Sequence, residues 1–296
     1  MVFTKPGKVT DRILLLGVKE SSVYILKGKN EYVFLGGGMV HMVPEIVEQI
    51  KGFKIEEKKI KRIIILHSHF DHCGVVPFLK KHWPWAKVTA SQRAKELLST
   101  PKVIQTIEFM NQALLKEKGR DDQAKELGLE FSGIHIEEVV KENDIIRCGD
   151  LTIEILEVPG HSSCSVAAYV PVEKAIFASD AGGIPFGDQI FTCANSNFDQ
   201  YQESLAKMNR YEINVYLAEH FGARTGKEAR TFLKRSMDFA QEARVILEAS
   251  YARTNDIAKS TKEMTGMLME NAPDDFLPRD IVAQVTGQML KYISRQ

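Results

Sequence analysis

The chain has 296 residues, 44% of them hydrophobic, enough to bury a sizeable core as one large domain or a domain with an appendage. Thirty-nine basic side chains balance thirty-nine acidic ones, which argues against the positive footprint that broad nucleic-acid binding needs. No 18-residue apolar run or leader-type start is present, and the four Cys lack paired spacing, so no membrane span or disulfide framework is expected and the expected compartment is cytoplasmic.

Taken in chain order, the basic cluster Lys54 to Arg62 is interleaved with Glu56 and Glu57 and reads as a solvated connector. Lys61 to Leu66 is an apolar run of strand length, and it leads directly into His67-Ser68-His69-Phe70-Asp71-His72. That hexapeptide holds three of the chain's eight His together with an Asp. Imidazole and carboxylate donors suit Zn, Fe or Mn. In an extended segment alternate residues share a face, so His67, His69 and Asp71 can converge while a turn re-aims His72. Cys73, next in line, is expected to be a small buried thiol rather than a ligand.

Lys87 to Ala90 is strand-like. Between it and a further strand expected near Gly133 to Val139 lies an insert, residues 92–128, in which Val103, Ile107, Met110 and Leu114 recur at helical spacing. A helical hairpin is expected there. Leu151 to Val158 alternates as a half-buried strand should and runs into Pro159-Gly160-His161-Ser162. Lys174 to Asp180 is another apolar strand, ending on a carboxylate before Gly182-Gly183; Asn214 to Glu219 leads to His220. Each strand end thus presents a ligand-type residue beside glycine, and strand ends in layered α/β sheets are where sites are built. Beyond Lys227, Leu233, Met237 and Ala240, then Val282, Val285, Met289 and Ile293, keep a helical period; Asn271 to Asp275 reads as a loop and Pro278 as the start of the last helix.

His67-x-His69-x-Asp71-His72, Gly160-His161-Ser162, Ser179-Asp180 and His220 together resemble the metallo-β-lactamase superfamily in its hydrolase, glyoxalase II-like form, over about residues 10–222. The resemblance implies an α/β fold, an αββα sandwich of two mixed sheets with helices outside. It divides the chain into a catalytic domain, 1–226, with the helical insert, and a C-terminal helical extension, 227–296, covering the active-site edge. It further implies two divalent metal ions (Zn, Fe or Mn), the first held by His67, His69 and His161, the second by Asp71, His72 and His220, with Asp180 bridging. Catalysis would run through a hydroxide shared by the two ions attacking an acyl carbonyl, with Asp71 and Asp180 the catalytic carboxylates. A thiolate leaves without a dedicated acid, so a thioester, acyl-CoA-like, is the expected substrate.

One position departs from the family. Glycine usually precedes the last His, and here Glu219 does. Either its carboxylate orients an imidazole or it is a strand-terminal side chain facing solvent.

Phe70 to Leu79, Ala90 to Arg93, Asn111 to Leu115, Tyr201 to Leu205 and Asp275 to Pro278 are also similar to the quinolone-signal response proteins of PqsE type. This implies a thioesterase in which the helical additions roof the site, form a homodimer contact, or both. Two rival readings stay open: a mononuclear iron oxidoreductase of persulfide dioxygenase type, and a regulatory protein acting through a partner.

Overall fold

The computed structural model describes residues 1–270, 272 and 277–296. The loop expected over Asn271–Asp275, apart from Ala272, and the stretch Asp275-Phe276 fall outside these.

Two seven-stranded sheets form the body. The short β1 (Val2–Phe3) joins the second sheet. The first runs in sequence order through β2 (Gly7–Lys8), β3 (Ile13–Val18), β4 (Ser21–Lys27), β5 (Tyr32–Leu35), β6 (Ile60–Ile64), β7 (Lys87–Ser91) and β8 (Glu138–Val140). The second contains β9 (Ile145–Cys148), β10 (Leu151–Glu157), β11 (Val166–Val170), β12 (Ala175–Phe177), β15 (Val215–Leu217) and β16 (Ala223–Thr225), in the order β1-β16-β15-β12-β11-β10-β9. A separate hairpin, β13 (Ile184–Phe186) and β14 (Gln189–Phe191), stands apart from both. Pairs β5–β6, β6–β7, β7–β8 and β12–β15 are parallel, each needing a crossover that a helix or long loop supplies.

The layering follows from the period of two. In β3, Ile13 and Leu15 face the second sheet while Leu14 and Leu16 face the helices outside; in β6, Ile64 points inward and Ile63 outward. Both faces are buried, so these strands read as continuous apolar runs rather than alternating ones. Between the sheets, Tyr24, Leu26 and Leu35 meet Ile153, Ala168, Phe177 and Leu217. Outside the first sheet lie α1 (Val43–Gly52), α2 (Val76–His82), α3 (Gln92–Leu98), α4 (Pro101–Glu117) and α5 (Asp121–Leu127). Outside the second lie α6 (Phe198–Met208), α7 (Lys227–Thr254), α8 (Ile257–Glu270) and α9 (Arg279–Ile293). Among the described residues no helix is long and apolar enough to cross a membrane.

Two expectations are refined. The insert holds three helices rather than a hairpin, because Pro101 takes the first position of a new helix, where its missing N–H costs nothing. The strand expected near 133–139 is confined to Glu138–Val140, since Gly133 adopts φ +100° beside Ile104 and breaks the extended run.

Arg62 on β6 reaches across to the edge strand β8, its Nε donating to Glu138 Oε2 at 2.7 Å, while Lys87 Nζ reaches Oε1 at 2.8 Å. Hydrogen bonding from Arg62, against partial burial, holds the Glu138 carboxyl down at about 2. The folded pKa lies below the unfolded one, so this contribution is complete above about pH 4.5 and is lost as pH falls toward 2. Glu138 is about a quarter exposed, which limits the effect to about 1 kcal/mol or less. Arg62→Met is expected to flatten the acid limb of the stability curve, read as urea midpoints between about pH 5 and 2.5; an unchanged limb would refute the assignment.

Candidate metal centre

The hexapeptide leaves β6 at the edge where the two sheets meet. Ile63 and Ile64 anchor it in the cores on either face, and Phe70–His72 closes a single 3₁₀ turn that redirects His72. From the second sheet, β10 delivers His161, β12 delivers Asp180 and β15 delivers His220. Tight turns make room for these ends: Gly160 has φ +125° with its Cα against the Tyr201 backbone, where any Cβ would collide.

The structure brings all seven singled-out residues together. Nε2 of His161 lies 3.2 Å from Nε2 of His67 and 3.0 Å from Nδ1 of His69. Nε2 of His220 lies 3.1 Å from Nε2 of His72, and the Asp71 Oδ2 atom lies 3.5 Å from the former and 3.4 Å from the latter. Asp180 Oδ2 stands between these triads, 3.2 Å from His72 and 3.6 Å from both His161 and His220. One oxygen is therefore shared by both groups.

The outer nitrogens explain the convergence. Nδ1 of His161 sits 2.8 Å from the Cys193 carbonyl and Nδ1 of His220 sits 2.7 Å from the Glu20 carbonyl. A carbonyl only accepts, so each Nδ1 carries a hydrogen, and in the neutral ring that a metal requires each Nε2 turns a lone pair inward. Several lone pairs about 3 Å apart repel one another unless a cation lies among them, and the N/O donor set suits Zn, Fe or Mn. The residues present fit metal ions of this kind.

The electrostatics divide the cluster in the same way. Burial, reinforced by neighbouring imidazoles, pushes His67 well down and His69 to about 3; His161 is also lowered by burial, although Asp180 opposes it. Burial works on His72 and His220 too, but Asp180 and Asp71 outweigh it, raising His72 strongly and His220 to about 10. Burial would raise the two aspartates, yet the charges of His72 and His220 hold both well below the usual carboxylate range. The second triad thus lies in a field that favours positive charge.

Glu219 does not face solvent: it is 2% exposed and lies behind His72. Cys73 is fully buried in the outer core, and burial raises its thiol. Sequence reasoning missed three supports. Ser179 sits beside His67, and the carbonyls of Glu20 and Cys193 fix two rings. Backbone acceptors carry no residue-type signal, and only Ser179, next to Asp180, was open to notice.

A cavity of about 610 Å³ opens on this edge. His69, Asp71, His161, Asp180 and His220 form its floor; Val103, Ile107 and Met110 of α4, Ile184 and Phe191 of the hairpin, and Ile281 and Val285 of α9 form apolar walls. Lys102, Asn195, Gln284 and Gln288 add polar groups to the lining.

A fold of two packed mixed sheets with a His- and Asp-lined edge defines a class of metal-centred α/β sandwich. The model of the metallo-beta-lactamase superfamily matches residues 16–220, and the chain belongs to that superfamily. Hydroxyacylglutathione hydrolase of Prochlorococcus marinus (strain NATL1A) is 26% identical over 185 residues, covering 60% of this chain and 59% of the relative. The corresponding hydrolase of Rhodopseudomonas palustris (strain BisB5) is 25% identical over 190 residues, covering 64% and 59%. The chain thus spans about 59% of the length of these curated relatives. Among solved structures, a metallo-beta-lactamase family protein from Thermus thermophilus superposes with a TM-score of 0.68 at 15% identity, covering 96% of this chain and 94% of that one, a likeness of fold.

Proposed function

We propose that this chain is a dinuclear metal-dependent hydrolase acting on acyl thioesters, with residues 227–296 serving as a cover for the site. The observation that carries the reading is the sharing of one Asp180 oxygen by two His-containing triads at the floor of a mostly apolar cavity. His67, His69 and His161 would hold one ion, Asp71, His72 and His220 the other, with Asp180 between them. When bound, the ions supply an acidified water as nucleophile and polarise the substrate carbonyl. Asp71, the most exposed of the carboxylates here, accepts a hydrogen bond from an incoming water and orients it toward the cavity. The walls of α4 and α9 receive the acyl group and exclude solvent around it.

The thioester class draws support from the hydroxyacylglutathione hydrolase relatives and from the leaving group. A thiolate departs without strong protonation, and no side chain is needed to deliver a proton to it. The largely apolar walls favour an acyl chain over a small polar acyl group, and Lys102 at the lining suits an anionic thiol carrier such as coenzyme A.

Free-thiol release from a panel of acyl-CoA and acyl-glutathione thioesters, with Zn, Fe(II) or Mn supplied, tests the reading. Hydrolysis that disappears in His67→Ala supports it; no release with any metal sinks it, and oxygen uptake with a persulfide would then identify iron-dependent oxidation instead. Ile281→Trp is expected to raise KM for long acyl chains by about tenfold while leaving acetyl thioesters near wild type, because an overpacked wall costs the longer ligand about 1–3 kcal/mol. Equal losses across chain lengths would place the acyl group elsewhere.

A further inference from the structure

Strands β12 and β15 are parallel neighbours, with Phe177 paired to Leu217. Two residues past the end of each stands a polar residue one position ahead of a candidate ligand: Ser179 before Asp180, Glu219 before His220. Both polar residues are 2% exposed. Ser179 Oγ donates to Glu219 Oε2 and also lies 3.1 Å from Nδ1 of His67. A hydroxyl has one hydrogen, so having given it to the carboxylate, Oγ accepts from His67 Nδ1–H. The same Glu219 Oε2 lies 3.1 Å from Nδ1 of His72, an ion-pair contact that is off the direct line of a hydrogen bond. Donation therefore runs from His67 through Ser179 to Glu219, and His72 faces the same carboxylate. His67 belongs to one triad and His72 to the other.

Local preference does not account for this pair. Ser179 has φ +48°, a left-handed conformation that glycine adopts without strain and serine does not. The Glu219 carboxylate fills space beside Gly36, where a Cβ would lie 2.5 Å from Oε1. Its backbone is fixed from the first sheet by Ser22, whose N–H donates to Glu219 O at 2.7 Å, and by the Tyr24 hydroxyl donating to Ala218 O at 2.5 Å. A pair serving only to tie two strand ends would have no reason to meet the outer nitrogen of one imidazole from each triad.

We propose that Ser179 and Glu219 form a positioning pair that fixes the tautomer and ring orientation of His67 by hydrogen bonding and holds the His72 ring by the charge facing its outer nitrogen, so that retention of metal at the two positions is linked through one buried carboxylate. The inference rests on the metal centre proposed above and adds to it a specific support that the usual glycine before the last His could not supply.

Ser179→Gly and Glu219→Gln test it, with Co²⁺ and Zn²⁺ as probes. Affinity is measured by chelator competition and by the visible absorption of the Co²⁺ form, and thermal midpoints are taken in excess chelator. Ser179→Gly relieves the strained φ, so its midpoint in chelator is expected to hold or rise while metal affinity falls about 10–100-fold. Glu219→Gln is expected to weaken both equivalents and shift the Co²⁺ spectrum. Wild-type affinity and spectrum in both variants would overturn the positioning role. So would a loss of affinity matched by an equal fall in the chelator midpoint, which would mark the pair as merely structural. A wild-type chain that retains no divalent metal would overturn the metal centre itself, an outcome distinct from unaltered variants of a metal-loaded wild type.

Discussion

Asp180→Asn is expected to lower the proposed thioester hydrolysis by at least about 10³-fold, since a metal site that takes a bound water's pKa from about 15.7 toward 7 would lose its shared carboxylate. The substitution changes shape little. It removes the negative charge shared between the triads and replaces one carboxylate oxygen with an NH2 group, which donates and cannot accept. Oδ2 stands 3.2 Å from His72 and 3.6 Å from His161 and His220, so the loss reaches both groups at once. Metal content, circular dichroism and thiol release should be measured on the same preparation. A folded variant with fewer metal equivalents and no hydrolysis is the expected result; hydrolysis within tenfold of wild type would show that this carboxylate is not the shared one.

The second large effect concerns stability. Phe177→Ala is expected to cost about 3–5 kcal/mol, the range for removing a buried aromatic side chain and leaving a partly collapsed cavity. Phe177 is fully buried between the sheets and meets Tyr24 edge-on with ring centroids 5.5 Å apart. Its strand ends just before Ser179 and Asp180, so a cavity here also loosens the mount of the shared carboxylate. Urea unfolding gives the number. A loss below about 1.5 kcal/mol would mean that the two sheets close over the gap, as volume-tolerant cores do.

The candidate ligands were legible because their chemistry is carried by residue type: imidazoles and carboxylates at the ends of apolar runs have few competing explanations. The sandwich was legible less directly. Runs such as Ile13 to Leu16 and Ile63 to Leu66 are apolar on both faces, which indicates burial but not which neighbour lies on each side. What remained hidden depends on partners distant in sequence. The carbonyls of Glu20 and Cys193 orient His220 and His161, yet any residue could supply a carbonyl. Glu219 was ambiguous because a strand-terminal carboxylate is as readily solvated as buried; the space beside Gly36 and the hydroxyl of Ser179 decide the matter, and neither can be read from position 219. The insert divides at Pro101, and the strand before Val140 is cut short by the backbone of Gly133, both local effects that a periodicity of apolar residues does not register.

The cavity draws one wall from α4 and another from α9. These segments are made at very different moments as a ribosome extends the chain at about 5–20 residues per second. Every side chain of the two triads has been synthesised by His220, well before Arg279 begins the final wall. The α9 wall is therefore the last part of the cavity lining to be made, after every candidate ligand.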